Sequence, residues 1–542
     1  MTDYKHDISI AMKKFFQIAL LFSASSVFAQ VHNEVVVYVR PGTDVKVLGD
    51  FSNANSGNFT VDANAVLDVD GDVNNNGTML FETDASLLRG STSADGGNGT
   101  YNVQRLGATG NKSNLWSSPV FTSGFTPGNP SYLYVESQST QWDGDDLSDP
   151  GWVVSNASMT PGDGYAGRGA GLVTFSDDRV NNGNITTPLH TATYDPTFTS
   201  TTGGTPFNLV GNPYPSALDA WLLVNDVSNA NIHGSLYFWD DDGTGGSGFT
   251  YQDYAVWNAS GGLPAVLTPG GGFRIPNGII TTGQGFMVRN LTANQLTFKN
   301  SMRVANNTSN IFFRVNGETS RLWFSINGAD VFNQVLIAVN EDATDNEDRL
   351  YDALKVRGNR DVFLAATDND NDYAILAFPP PLVDRTVPLS LYVSTGGAHT
   401  FKADKMEGYQ EFDVYFNDVT LNTNVLLEEG TSISVNLSEG EYTDRFFLNF
   451  ARTSIVTGIE DAEGEMLRAY AANGFLHVGC TNCEADATID LVDMSGRLVL
   501  SEVEQQFTNG NTTLSLQGLS TGIYVVRVTT SNQVLSKKII NQ

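Results

Sequence analysis

Thr488-Ile489-Asp490-Leu491-Val492, Ser495-Gly496-Arg497 and Leu498-Val499-Leu500 follow one another near the end of the sequence. Leu514-Ser515-Leu516, Gly518-Leu519-Ser520-Thr521-Gly522 and Tyr524-Val525-Val526-Arg527-Val528 come next. Successive side chains of a strand point to opposite faces, so Ile489 and Leu491 share one face, as do Tyr524, Val526 and Val528. The two Gly-containing segments read as turns between strands. The chain closes on Ser536-Lys537-Lys538-Ile539-Ile540-Asn541-Gln542. Residues 454–542 therefore read as a compact β-module with a basic tip.

The order of these elements resembles a known family. An Asp-x-x-Gly-Arg turn at residues 493–497, a Gly-x-Tyr-x-Val-x-Val strand at 522–528 and a terminal Lys-Lys-Ile-Ile are similar to the type A C-terminal sorting domain of the type IX secretion system of Bacteroidota. The resemblance covers about a sixth of the chain. It implies an address rather than an activity. An Ig-like β-sandwich over residues 466–542 would dock on the outer-membrane export machinery. A sortase-like peptidase would remove it, often transferring the protein to a surface lipopolysaccharide. The residues carried over are Asp493, Gly496, Arg497, Gly522, Tyr524, Val526, Val528, Lys537 and Lys538. The first four secure turns and a strand entry, Tyr524 and the valines build the core, and the lysines place positive charge at an exposed end. An ordinary small β-sandwich accounts for Tyr524 and the valines equally well.

The front of the chain agrees with the back. Met12-Lys13-Lys14 is a basic start, residues 15–28 are a short apolar run, and Val27-Phe28-Ala29 fits the small-residue rule for signal cleavage. Cleavage is expected after Ala29, with residues 1–11 an upstream extension and Met12 an alternative start. The apolar run is too short for a membrane anchor, and no later stretch reaches the roughly 18 apolar residues of a spanning helix. The expected protein is not integral to the membrane and ends outside the cell, secreted or on its surface.

The chain has 542 residues, too many for one core. It carries 30 basic and 60 acidic side chains. Loss of residues 1–29 removes Lys5, Lys13, Lys14, Asp3 and Asp7, leaving 27 against 58, a net charge of −31. That sign argues against nucleic acid and anionic membranes as partners. Solubility in a salty exterior explains it, with calcium binding as the alternative. Gly, Asn, Thr, Ser and Asp punctuate β-branched and aromatic residues, the pattern of many short strands joined by turns. The fold class is all-β and multi-domain.

Residues 30–98 hold a faint repeat. Val45-Lys46-Val47-Leu48-Gly49-Asp50-Phe51 is matched by Leu67-Asp68-Val69-Asp70-Gly71-Asp72-Val73, with the Gly-Asp pairs 22 residues apart. Such a period suggests coils of a short β-solenoid leaning on the next domain, with a pair of hairpins as the alternative. Asp68, Asp70 and Asp72 read either as the start of a calcium loop or as the solvent face of a strand. Residues 90–98 are a linker, and residues 99–305 form a β-rich domain with Asn208-Leu209-Val210-Gly211-Asn212-Pro213-Tyr214-Pro215-Ser216, Tyr237-Phe238-Trp239 and Gly283-Gln284-Gly285-Phe286. This combination resembles a module found upstream of type A sorting domains in large surface proteins of Bacteroidota, one with no activity to transfer. Residues 306–452 present about seven strands, enough for a two-sheet sandwich, with one helical turn expected within 341–353. Residues 453–465 are the linker into the module at 466–542.

The common chemistries lack their signatures. The histidines are scattered, without His-x-x-x-His or His-Glu-x-x-His, and Gly-x-Ser-x-Gly and Gly-x-x-x-x-Gly-Lys are missing. Cys480 and Cys483 are read as a small-loop disulfide in an oxidising compartment, with free thiols as the alternative. Asp240, Asp241 and Asp242 beside Tyr237 and Trp239 are solvated or capping carboxylates, a calcium site, or the pair a glycosidase needs. Asp368, Asp370 and Asp372 alternate like a calcium loop but lack Gly at the sixth place and Glu at the twelfth, so the EF-hand reading fails and a non-helical β-loop calcium site remains as the candidate there. Trp221, Tyr237, Trp239 and Trp257 are candidate sugar-stacking rings, against the alternative that they fill cores. No cofactor is certain; calcium is the one candidate. Two functions follow for the cargo: a non-enzymatic surface or adhesion protein that binds polysaccharide, or a polysaccharide-degrading hydrolase with an unrecognised carboxylate pair.

Overall fold

The computed structural model describes residues 30–90, 93–110, 112–122, 133–136, 152–155, 158–168, 171–190, 207–241, 254–265, 274–305, 320–328, 331–355, 361–369, 371–380, 385–409, 412–452, 467–472, 474–480, 487–493, 497–505, 511–529 and 534–541. The expected signal peptide and the linker at 453–465 lie outside these residues. Among the described residues nearly all elements are strands, and the one α-helix, Ala220–Val224, is a single turn capped by the Asp219 carboxylate. One compact unit ends at Ala451 and a second begins at Arg452.

The first unit opens with the solenoid. Each of the first three coils contributes one strand to each of three parallel ladders, and a fourth contributes to the first two. Val31–Asn33, Phe51–Asn53, Val73–Asn75 and Asp95–Gly96 make the first; Val36–Val39, Asn58–Val61, Thr78–Phe81 and Thr100–Leu106 the second; Asp44–Val47, Val66–Val69 and Ser86–Arg89 the third. Partners in register are 20 or 22 residues apart, as in Val36↔Asn58 and Asn58↔Thr78. The period has a physical source at each corner. Gly42, Asn64 and Asp84 occupy equivalent turn positions with φ of 72°, 60° and 66°, a left-handed conformation that Gly, Asn and Asp tolerate best. Asp50 and Asp72 of the two Gly-Asp pairs accept backbone N–H groups from Asp72 and Ala94, one coil on, at 2.9 and 2.7 Å. Inside, Asn33 donates to Asn53 and Asn53 to Asn75, each at 2.8 Å. Asp68 and Asp70 are paired with Lys46, which accounts for two of the three carboxylates of the suspected calcium loop.

The last coil is covered by the region that follows. Thr100–Leu106 pairs antiparallel with Leu172–Asp177, and the Leu87 N–H donates to the Pro215 carbonyl at 2.7 Å. The familiar Gly-Asn-Pro-Tyr-Pro-Ser segment is the joint. Its Asn212 amide reaches the carbonyls of Ser216, Ile280 and Thr281 at 2.8, 3.0 and 3.1 Å. Gly211 pairs with Gly285, and a Cβ at Gly211 would sit 2.5 Å from the Ser117 Cβ, so only glycine fits. These residues are structural.

A five-stranded sheet follows in the order Phe207–Gly211, Gly285–Asn290, Ile232–Trp239, Tyr254–Asn258, Gly261–Leu263. Beyond residue 320 eleven strands join in a single sheet. Rings from distant strands meet: Phe401 lies 4.7 Å from Phe416 and 4.9 Å from Phe446. The sandwich is therefore made by one sheet folding over itself, with Val335↔Phe324 and Leu364↔Leu391 among its buried pairs. Residues 341–352 are turns rather than the expected helical turn, because Asp348 and Asp352 draw the backbone amides: Thr344 N–H donates to Asp348, and Asp348 N–H to Asp352 at 2.6 Å.

This sandwich and the five-stranded sheet share a core. Tyr237, Val256, Leu263 and Met287 pack with Trp323, Leu336, Ala374 and Ile375. Hydrogen bonds stitch the seam: Ser235 Oγ to Asp352 O at 2.6 Å, Tyr237 OH to Leu354 O at 2.9 Å, and Trp323 Nε1 to Gly262 O at 2.9 Å.

The second unit pairs a three-stranded sheet, Leu467–Ala472, Phe475–Cys480 and Asn511–Ser515, with a four-stranded one in the order Leu498–Gln505, Ala487–Asp493, Gly522–Thr529, Val534–Asn541. Between them lie Leu476, Val478, Ile489, Leu491, Tyr524, Val526 and Val528.

Candidate functional site

The terminal module is built as its alternation requires. Tyr524, Val526 and Val528 are buried on one face, opposite Ile489 and Leu491 of the neighbouring strand. The turn is closed by its own first and last residues. Asp493 Oδ1 accepts the Arg497 N–H and Oδ2 accepts Nε, both at 3.0 Å, while Asp493 N–H donates to the Arg497 carbonyl at 2.9 Å. Gly496 lies outside the described residues. The Tyr524 hydroxyl donates to the Ser520 carbonyl at 2.7 Å, and Asn541 Nδ2 reaches the same carbonyl at 3.1 Å, so the strand entry is tied to the chain end. At Gly522 an added Cβ would make only an ordinary contact, 3.7 Å from the Tyr524 ring.

Lys537 and Lys538 do not form one patch. They pair with Val526 and Val525, so they point to opposite faces; Lys537 is half-buried and Lys538 exposed. Sequence reasoning missed Asp490, whose carboxylate accepts from Ser501 Oγ at 2.6 Å and from Arg527 Nη2 at 2.6 Å across neighbouring strands. These partners hold its carboxyl below the usual range against the opposing effect of burial, which is the largest single influence on it. The signal was there: Asp490 and Arg527 alternate outward between inward aliphatics. Cys480 ends a strand, and Cys483 lies outside the described residues.

The candidate rings of the first unit are divided between two faces of the five-stranded sheet. Tyr237 and Trp257 are buried, Trp239 and Trp221 half-buried. Tyr237 and Trp239 face the core shared with the sandwich, whereas Trp257 and Trp221 pack with Leu223 and Phe286 on the other side. Trp239 meets Tyr254 edge to face at 5.0 Å, and both rings are half-buried. Next to them Asp240 is ion-paired with Arg274 at 2.6 Å, and Asp241 accepts the Ser113 N–H at 2.6 Å. Asp242 and Asp370 lie outside the described residues. Asp368 and Asp372 flank a tight hairpin turn in which Asn369 has φ of 47°; Asp368 accepts from Asn369 at 2.8 Å and Asp372 from Thr367 at 3.2 Å. Among the described residues no three His, Cys, Asp or Glu side chains gather as a metal site would need.

The carboxyls driven furthest apart lie in the seam. Burial pushes Asp352 up to about 7, although its oxygens accept the N–H groups of Ala377 at 2.8 Å and Asp348 at 2.6 Å. The His233 ring, helped by the Arg289 guanidinium, holds Glu347 down at about 2. Such divergence marks many acid–base pairs. Here Asp352 is fully buried and both its oxygens are engaged by backbone, so it secures the seam and meets no solvent.

Fold and module together define a class: an exported all-β protein made of a cargo unit and a terminal sorting module. Residues 472–542 match the family described as a secretion system C-terminal sorting domain, so the chain carries a type IX sorting signal and goes to the cell surface or is secreted. Residues 28–450 match the domain of unknown function DUF8693, and the chain belongs to that family. No curated protein matches at a significant level. Two solved structures show limited likeness. One is a β-glucuronidase from Ruminococcus gnavus in complex with D-glucaro 1,5-lactone, at 10% identity and TM-score 0.10, covering 35% of this chain and 46% of that one. The other is the BSP domain of a biofilm-associated protein, at 9% identity and TM-score 0.15, covering 81% and 92%. The chain thus spans less than half of the glucuronidase. Among the described residues no helix is long and apolar enough to cross a membrane.

Proposed function

We propose that the cargo is a non-enzymatic surface protein of a Bacteroidota cell that adheres by binding polysaccharide. After export, on this reading, a sortase-like peptidase removes the module. The observation that supports glycan contact is the half-buried Trp239–Tyr254 pair beside the Asp240–Arg274 ion pair. An aromatic face next to charged donors and acceptors is how proteins hold sugars. The commitment of Asp240 and Asp241 to Arg274 and Ser113 favours a binder over a hydrolase.

The test is a glycan array probed with the chain from Gln30 onward, with and without calcium, alongside an assay for released reducing sugar. Binding that weakens at least tenfold in Trp239→Ala, without sugar release, supports the proposal. Sugar release by the wild-type chain would replace it with the hydrolase. Calcium-dependent binding would place the ion at the Asp240 or the Asp368 and Asp372 turn, each checked by its own Asp→Asn variant.

A further inference from the structure

We propose that the chain crosslinks itself: the Lys355 amine displaces ammonia from the Asn333 side-chain amide and forms an intramolecular isopeptide bond. The two residues are 22 apart in sequence and meet where Phe332–Val339 begins and Ala353–Leu354 ends. Lys355 Nζ donates to Asn333 Oδ1 at 2.6 Å and to the Gln334 carbonyl at 3.1 Å. Asn333 is buried, and its Nδ2 donates to the Val362 carbonyl at 3.2 Å. The amide is thereby clamped with its oxygen toward the amine. The carbon to be attacked lies one bond beyond that oxygen.

A lysine attacks only in its neutral form. Lys355 is half-buried overall, and burial of its amine pushes the pKa down to about 7 against the raising pull of Asp372. About half of the molecules therefore carry a free lone pair there at neutral pH. Lys46, Lys299, Lys402 and Lys405 are held by carboxylates, which keep an amine charged. Lys355 meets an amide carbonyl instead. An ammonium is disfavoured in such a place, whereas the product amide carries no charge.

Asp372 supplies the proton path. Its backbone carbonyl accepts the Lys355 N–H at 2.8 Å, which extends the ladder in which Leu354 pairs with Tyr373. Lys355 and Asp372 thus lie opposite each other on neighbouring strands, and their side chains leave the sheet on one face. In the step itself the Nζ lone pair bonds to Asn333 Cγ. One Nζ proton passes through the Asp372 carboxylate to Nδ2, and the Cγ–Nδ2 bond breaks. Ammonia leaves, and no oxidant or other reactant is consumed. The product staples Phe332–Val339 to Ala353–Leu354 across the turns that carry Glu347 and Asp352.

Tryptic mapping by mass spectrometry of the purified chain from Gln30 onward reads the outcome. Peptides 322–349 and 350–357 should appear as one branched species, uncut at Lys355 and lighter than their sum by one ammonia, about 17 Da. Lys355→Arg and Asn333→Ala should each return separate peptides and lower the melting temperature. Asp372→Asn, with unchanged circular dichroism, should cut the joined fraction at least tenfold. A wild type whose peptides separate fully, with Lys355 cut by trypsin, overturns the proposal whatever the variants do. So does a branched species that persists in Lys355→Arg, which would put the link elsewhere. Equal joining in Asp372→Asn would overturn the part given to that carboxylate.

Discussion

Asn53 donates its side-chain amide to the Asn75 carboxamide oxygen at 2.8 Å, 22 residues further along the chain, and both side chains are fully buried. The same amide also lies 3.3 Å from the carbonyls of Gly57 and Thr78. Buried polar groups persist only when paired, so this column locks one coil to the next in a single register. Asn53→Ala leaves the Asn33 donor without its acceptor. We expect a loss of about 3 kcal/mol in urea unfolding and faster exchange of the coil amides. Asn74→Ala, one residue from the column and outward-facing, should change stability by less than about 0.5 kcal/mol. Equal effects from the two would refute the ladder's role.

Arg303 is buried where the solenoid meets the next region. Its guanidinium donates to Ser216 Oγ and Asn182 Oδ1, both at 3.0 Å, and to the Leu87 carbonyl, with the Tyr214 ring 4.8 Å away. Burial lowers its pKa to about 9, so it stays charged at neutral pH. Arg303→Met should destabilise the first unit by about 3 kcal/mol and expose the Leu87 amide to exchange. An unchanged exchange rate at Leu87 would show that the cap does not depend on this side chain.

The seam makes stability depend on pH. Asp352 binds its proton more tightly folded than unfolded, with a folded value of about 7. Its contribution is full below the ordinary carboxyl range near 4 and fades as pH rises toward 7. Glu347 runs the other way: held at about 2, it stabilises above its unfolded value and loses that effect as pH falls through the range from about 4.5 to 2. Urea unfolding of wild type and Asp352→Asn at several pH values isolates the first term. The advantage of wild type over the variant should shrink between pH of about 4 and 7. A pH-independent difference would mean that Asp352 titrates normally.

The module is stable enough to be an address only if its strand entry is fixed. Tyr524→Phe loses the bond to Ser520 and should cost about 1 kcal/mol; Tyr524→Ala opens the core and should cost about 4 kcal/mol. Export measured by cell fractionation should follow that ranking. A chain lacking residues 466–542 should collect in the periplasm; normal amounts outside the cell would show that the route does not need the module.

Much of this was readable in order along the chain. The solenoid announced itself through the Gly-Asp pairs 22 residues apart, because each Asp caps the next coil. Strands such as Ala487–Asp493 and Gly522–Thr529 followed from alternation and turn residues. The candidate rings were less legible. Trp239 and Trp257 look alike in sequence, yet one is half-buried at a sheet end and the other is in a core. A ring's hydrophobicity suits both places, so composition does not choose between them.

Sequence alone determined the all-β class, the repeat and the terminal module, because alternation, turn chemistry and period are local properties of the chain. Tertiary structure alone decided that residues 232–263 and 320–378 share one core, that a single sheet folds into the sandwich, and that Asp352 and Glu347 part company in pKa. Those outcomes depend on which faces meet across long stretches of chain, as in the 61-residue span from Gly262 to Trp323 and the 117-residue span from Ser235 to Asp352, and no local pattern encodes that choice.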